Sequence, residues 1–187
     1  MKKYFESIRC ENFKIYNIKY HNKRVFNTIN KYINLEDYIS IPNDKLLKCK
    51  IIYNKDEILD ISFSEYFPKN INILKLVYDD NIIYNKKELN REALNKLYLQ
   101  KDIADDIIII KNDLITDSSI YNIAVFDGIL WKTPKKPLLC GTSRHRLLNE
   151  KKILVDNINI DMLYESKSIA FLNAMVGMKI INDYKIV

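Results

Sequence analysis

Along the chain, hydrophobic and polar positions fall into short alternating runs separated by a few stretches of helical spacing. Tyr4–Arg9 alternates with the two-residue period of a half-buried strand, and Glu11-Asn12 offers a turn into a second strand at Lys14–Ile18. From Tyr20 to Tyr32 the apolar positions Val25, Phe26, Ile29 and Tyr32 recur at helical spacing, which predicts an amphipathic helix packed on that hairpin. Asn34–Pro42 reads as an irregular connection with room for a short helix, because Pro42 lacks the amide hydrogen a continuing helix needs. Three strand-like runs follow at Leu46–Tyr53, Ile58–Phe63 and Ile71–Tyr78, with Asn54–Asp56 as a turn and Pro68 interrupting the path to the third. The prediction is a small antiparallel sheet with one helix, closing near Asp79-Asp80-Asn81.

Helical spacing returns with Ala93, Leu94, Leu97 and Tyr98, ending near Lys101-Asp102. Strands are then expected at Asp106–Lys111, Leu114–Asp117, Ile120–Phe126 and Ile129–Lys132, the last two joined through Asp127-Gly128 as a two-residue type I′ hairpin. Pro134 and Pro137 hold an extended loop before Cys140-Gly141, and Thr142 or Ser143 can cap a helix running to about Lys151. Ile153–Val155 and Ile169–Leu172 read as further strands, and the Lys179–Ile186 tail as a last one. The fold class is therefore α+β, with a small N-terminal domain over residues 1–81 and a larger C-terminal domain over residues 82–187.

Composition narrows the function. At 187 residues with 48% apolar content, the chain can bury one good core or two small domains. No apolar run approaches the length of a membrane span, and Met1–Cys10 carries charges where a signal peptide needs an apolar stretch. A soluble cytoplasmic protein with no membrane partner is expected. Three widely spaced cysteines without a Cys-x-x-Cys, and two histidines, support neither a disulfide framework nor a metal site, so any cofactor is expected to be organic. A formal charge of +6 and thirteen tyrosines would suit a nucleic-acid binder. The lysines are interleaved with Asp and Glu along the whole chain, however, and a global bias is a weaker sign than a local cluster, so no nucleic-acid partner is expected.

Several short motifs carry chemistry. Lys87-Glu88-Leu89-Asn90-Arg91 contains a Lys-x-Leu-Asn-Arg pattern; Asp117 and Asn122 stand in Thr116-Asp117-Ser118-Ser119-Ile120-Tyr121-Asn122; His21 and Arg24 form a His-x-x-Arg; and Gly141-Thr142-Ser143 opens a helix. Alone, each has an ordinary reading: a solvated lysine, an Asp-Ser-Ser turn, a surface arginine, a helix cap. In this order, from Phe5-Glu6-Ser7-Ile8-Arg9 to Gly177, the sequence resembles the class IV aminotransferase family. These pyridoxal phosphate (PLP) enzymes include 4-amino-4-deoxychorismate lyase, D-amino acid transaminase and branched-chain transaminase.

The resemblance implies a two-domain D-amino acid aminotransferase-like fold, shortened here at the N-terminus by about one hairpin, and a homodimer whose active site lies between the domains near the subunit interface. It implies PLP held by Lys87, which also carries the substrate proton, and a carboxylate, Asp117, against the pyridine nitrogen in place of the usual glutamate, with Asn122 beside it. Arg24, Gly141, Thr142 and Ser143 would surround the phosphate; Arg91 completes the lysine motif; and Asn173 and Ala174 take the place of an Asn-Ala-Leu or Asn-Ser-Leu element that tilts the comparison toward the lyase. The implied activity is release of pyruvate and 4-aminobenzoate, a folate precursor, from a small amino substrate. A transaminase of branched-chain or D-amino acids, and a binding protein that has kept the fold without turnover, are the alternatives.

Overall fold

The computed structural model describes all residues, 1–187, and the chain divides into two compact units, Met1–Pro68 with Lys86–Asn90, and Lys69–Asn85 with Arg91–Val187. The first unit holds β1 (Tyr4–Glu11), β2 (Lys14–Ile15), α1 (Ile18–Ile29), a 3-10 turn at Leu35–Tyr38, β3 (Leu47–Tyr53) and β4 (Ile58–Glu65). Its sheet runs β2-β1-β3-β4, antiparallel throughout. Asn12 and Phe13, at φ 50° and 57°, make the left-handed pair that a tight right-twisting hairpin requires. Asn17 and Asn30 bracket α1 in the same left-handed region, which asparagine tolerates better than most residues. The helix therefore ends before Tyr32, which the spacing had placed on it and which is exposed. Alternate residues Tyr4, Ile8 and Cys10 of β1 meet Val25 of α1 and Leu47, Cys49, Ile51 and Tyr53 of β3 in one core.

The second unit holds β5 (Ile73–Tyr78), α2 (Glu92–Tyr98) with a 3-10 turn at Leu99–Lys101, β6 (Asp106–Lys111), β7 (Leu114–Ile115), β8 (Asn122–Phe126), β9 (Trp131–Pro134), α3 (Thr142–Asn149), β10 (Leu154–Asp156), α4 (Ile160–Glu165), β11 (Ser168–Asn173), β12 (Gly177–Ile181) and β13 (Lys185–Ile186). Two sheets result, β13-β5-β6-β7 and β10-β9-β8-β11-β12. Ile108 and Ile110 of β6 pack with Ile123 and Val125 of β8 and Ile169 and Phe171 of β11, whereas Ile107 and Ile109 face Leu94 and Leu97 of α2. Ala124 and Ala170, on the other face of their sheet, cover Leu147 of α3. The order is helix, sheet, sheet, helix, and it explains why Ile107–Ile110 is apolar on both faces rather than alternating. No helix is long and apolar enough to cross a membrane.

Three expectations change. Ile71–Tyr78 does not join the first antiparallel sheet: β5 pairs with β6 in parallel, from Leu74↔Asp106 to Tyr78↔Ile110, because the α2 crossover returns the chain in the same direction. Asp127-Gly128 is not a two-residue turn, since Phe126 pairs with Trp131 and leaves a four-residue loop. The Asp127 carboxylate accepts the amides of Ile129 and Leu130, each at 2.8 Å, and so draws both residues out of the strand. The tail splits between two sheets as β12 and β13. The helix α4 had no counterpart in the periodicity, although Asn159 caps it by accepting from the Met162 amide at 2.9 Å.

Truncation of Ile108, fully buried between the two sheets, leaves a cavity; Ile108→Ala is expected to lower stability by about 2–5 kcal/mol, read as a reduced urea midpoint at constant m. Ile129→Ala, at the exposed loop tip, is expected to change it by less than about 0.5 kcal/mol in the same assay.

Candidate active site

In the first unit the site is built on β1. Its outer edge pairs with the segment carrying the lysine motif: the Phe5 amide donates to the Lys87 carbonyl at 3.0 Å, the Leu89 amide to the Lys3 carbonyl at 2.8 Å, and Tyr4 bridges Glu88. This short pairing fixes the backbone at Lys87. The Lys87 ammonium lies 4.4 Å from the centre of the Phe5 ring, a cation–π contact, and the side chain is half-buried. Lys86 is employed differently, donating to the Thr28 carbonyl at the end of α1 at 2.8 Å. The two adjacent lysines are thus not equivalent.

Glu6 occupies a core-facing position of β1 and is fully buried. Arg24 of α1 grips it side-on, Nε donating to Oε1 at 2.8 Å and Nη2 to Oε2, while His21, one turn earlier, donates from Nδ1 to Oε2 at 2.5 Å. Burial alone would push the Glu6 pKa up, but the Arg24 charge and the His21 hydrogen bond outweigh it and hold the carboxyl down at about 2. Burial pushes the pKa of His21 down, with the charges of Arg24 and Lys87 adding to that effect. Arg24, expected at the cofactor phosphate, therefore has its guanidinium plane set by a buried carboxylate. Glu6 had been given no role from the sequence, although a charge at an apolar position of an alternating strand was a visible signal.

In the second unit Asp117 and Asn122 close a short turn and bridge each other. Asn122 Nδ2 donates to Asp117 Oδ1 and to the Leu139 carbonyl, both at 2.7 Å, and its Oδ1 accepts the Gly141 amide at 3.1 Å. The Leu139 amide donates to the other Asp117 oxygen at 2.8 Å. A Cβ on Gly141 would stand 2.0 Å from Asn122 Oδ1, so only glycine allows this approach. Burial raises the Asp117 pKa to about 7, against the opposing pull of the Leu139 amide, Asn122 and the more distant Arg144 charge.

Gly141 leads into α3, with Thr142 and Ser143 buried in its first turn. Helix N-termini favour anions, and Thr142 places a hydroxyl in this first turn. Ser143 donates to the Asn173 carbonyl at 2.6 Å, tying α3 to the end of β11, and Asn173 Oδ1 accepts the amides of Met175 and Val176 at 2.9 and 3.0 Å. Ala174 lies half-buried in that turn. Arg91 donates to the Ser119 carbonyl at 2.5 Å, within the turn between Asp117 and Asn122. Arg144, which sequence reasoning left aside, is buried and holds Thr133 Oγ1 and the Pro134 carbonyl.

The donor set fits PLP by its chemistry. Asp117 is a buried carboxylate whose hydrogen-bond partners are neutral, so a protonated ring nitrogen would supply the charge that burial otherwise disfavours. The close approach at Gly141 and the start of α3 suit a phosphate.

The chain as a whole is similar to known proteins. No protein-family model matches the sequence. A candidate 4-amino-4-deoxychorismate lyase of Haemophilus somnus 129PT has a solved structure that is 32% identical, covers 94% of this chain and 97% of its own, and superposes with a TM-score of 0.81. The chain belongs to the class IV aminotransferase family. An uncharacterized protein of Haemophilus influenzae is 36% identical over 185 residues, 93% of this chain and 98% of the relative. The fold of this class IV aminotransferase is also that of a hypothetical aminotransferase of Mycobacterium tuberculosis in its PLP-bound form, 12% identical over 98% of this chain and 81% of that one, with a TM-score of 0.77.

The Glu6 network makes a pH prediction for the folded protein. Glu6 has a folded pKa of about 2 against an ordinary 4.5, so its stabilisation is complete above 4.5 and is lost as pH falls toward 2. His21, lowered from 6.5, adds a loss that begins as pH drops through 6.5, because the unfolded chain takes up that proton more readily. Urea unfolding from pH 7 to pH 3 is expected to show falling midpoints, and Glu6→Gln to be less stable at pH 7 by on the order of 3 kcal/mol with a flatter profile below 4.5.

Proposed function

We propose that this class IV aminotransferase is a PLP-dependent 4-amino-4-deoxychorismate lyase that releases pyruvate and 4-aminobenzoate in the cytoplasm and acts as a homodimer. The observation that carries the reading is its likeness to the Haemophilus somnus candidate lyase over nearly the whole of both chains.

Bound PLP supplies an electron sink for the carbon beside the substrate nitrogen. Lys87 is the residue that would hold the cofactor aldehyde, and its amine, once released, would be the base for the proton on that carbon. Its place over the Phe5 ring, on a backbone pinned to β1, limits where the amine can go. Asp117 would face the ring nitrogen and favour its protonated form, because a cation against this buried carboxyl, its pKa raised by burial, favours the carboxylate. Asn122 would keep that carboxylate oriented, Thr142 in the first turn of α3 would take the phosphate, and Arg24 is proposed as a further phosphate ligand. Ser143 braces this turn with a hydroxyl already committed to the Asn173 carbonyl.

The same residues would start a transamination, which breaks the same carbon–hydrogen bond. Protein incubated with PLP and desalted is expected to keep a visible absorption band that Lys87→Ala lacks, and to form 4-aminobenzoate from 4-amino-4-deoxychorismate. Conversion of the bound cofactor to its amine form by a branched-chain or D-amino acid, without 4-aminobenzoate, would assign it as a transaminase instead. A retained band with no turnover of either kind would make it a binding protein.

A further inference from the structure

The turn that carries Asp117 is gripped from two sides by groups that the proposed chemistry does not use directly. Within it, the Ser118 amide donates to the Tyr121 carbonyl at 2.9 Å, so residues 118–121 form a closed loop between Asp117 and Asn122. Ser119, at its tip, has each of its polar groups engaged. Its amide donates to Asp106 Oδ1 at 3.3 Å, its hydroxyl to Asp106 Oδ2 at 3.0 Å, and its carbonyl accepts from Arg91 Nη2 at 2.5 Å.

Neither partner is an incidental surface charge. Asp106 begins β6, is buried, and also accepts the Ile107 amide at 2.8 Å, which locks its carboxylate to the strand. Arg91 enters α2, and its Nε is buried without a hydrogen-bond partner. Leaving a desolvated donor unmet is unfavourable, so the guanidinium is held inward by what its other nitrogen does. A buried carboxyl group and a guanidinium thus clasp opposite ends of one residue, two positions from Asp117.

We infer that Arg91 and Asp106 are positioning residues that hold Ser119 from both sides and thereby set the orientation of the Asp117 carboxylate toward the cofactor nitrogen. The inference rests on the role proposed for Asp117. Arg91, which the family motif placed among the cofactor ligands, acts through the turn.

The test reads Asp117 directly. In protein labelled with ¹³C-aspartate, the Asp117 carboxyl is titrated by NMR without cofactor in the native chain, Arg91→Met, Arg91→Lys and Ser119→Ala, with Lys96→Ala, on the exposed face of α2, as a control. Arg91→Met and Ser119→Ala are expected to move the Asp117 midpoint by about half a pH unit or more and to weaken PLP retention about tenfold, with Arg91→Lys in between and Lys96→Ala unchanged. An Asp117 midpoint that stays in place in Ser119→Ala and Arg91→Met overturns the inference. Should Arg91→Met fail to fold, Ser119→Ala, which removes one hydroxyl, decides it. If no form of the protein retains PLP, the functional reading fails while the Asp117 midpoint still decides the positioning.

Discussion

A single carboxamide holds a carboxylate out of water in the second unit. Asn122 uses both ends of its side chain, donating to Asp117 and to the Leu139 carbonyl and accepting from the Gly141 amide. This ties the turn at the head of β8 to the loop before α3, two segments that share no strand pairing. The start of α3 depends on it, because Gly141 can approach Asn122 only without a Cβ, and the brace from Ser143 to β11 depends on where α3 starts. Aspartate, one methylene shorter than the glutamate usual in the family, keeps its carboxylate near its own backbone. There it meets Asn122 and the Leu139 amide, so the shorter side chain leaves no buried oxygen without a partner.

Of the three carboxylates the chain buries, Glu6 and Asp117 have opposite consequences. Glu6 has a guanidinium and an imidazole N–H at hydrogen-bond distance, and its pKa falls. Asp117 has only neutral donors there, and its pKa rises. Arg144 stands near enough to lower the Asp117 pKa, but its own hydrogen bonds go to Thr133 and the Pro134 carbonyl. Glu6 is therefore a fixed charge that organises α1 on β1, and removing either partner would strand an ion in the core. Asp117, its pKa raised by burial, is the buried acid whose ionisation a neighbouring cation would favour.

Local pattern made most elements of this fold legible. The alternation of β1 and β3 and the doubly apolar run of β6 are each determined by which faces are covered. Sheet membership was not legible for β5. Ile73–Tyr78 has the same apolar character whether it pairs antiparallel with a hairpin neighbour or parallel through a crossover, and only the packing of α2 decides between them. The loop after β8 was misread for a related reason. Asp127-Gly128 has the composition of a type I′ turn, but the Asp127 side chain competes by binding two amides ahead of it.

The candidate site reads from the sequence as a set of motif residues and not as a network, because its supports are residues that violate the local pattern. Glu6 interrupts the apolar face Tyr4, Ile8 and Cys10, and His21 and Arg24 sit three apart on the one helix face that can answer it. Asp106 heads a strand whose next four residues are all isoleucine, and Asp117 ends the run begun at Leu114. A charge at a position where periodicity demands an apolar residue is unfavourable unless something is built around it. Such misfits, set against basic residues at helical spacing on a neighbouring element, point to a buried network from sequence alone. What they leave open is which of the buried acids finds a cation at hydrogen-bond distance: Glu6 finds Arg24 of α1, whereas Asp117 meets only neutral donors.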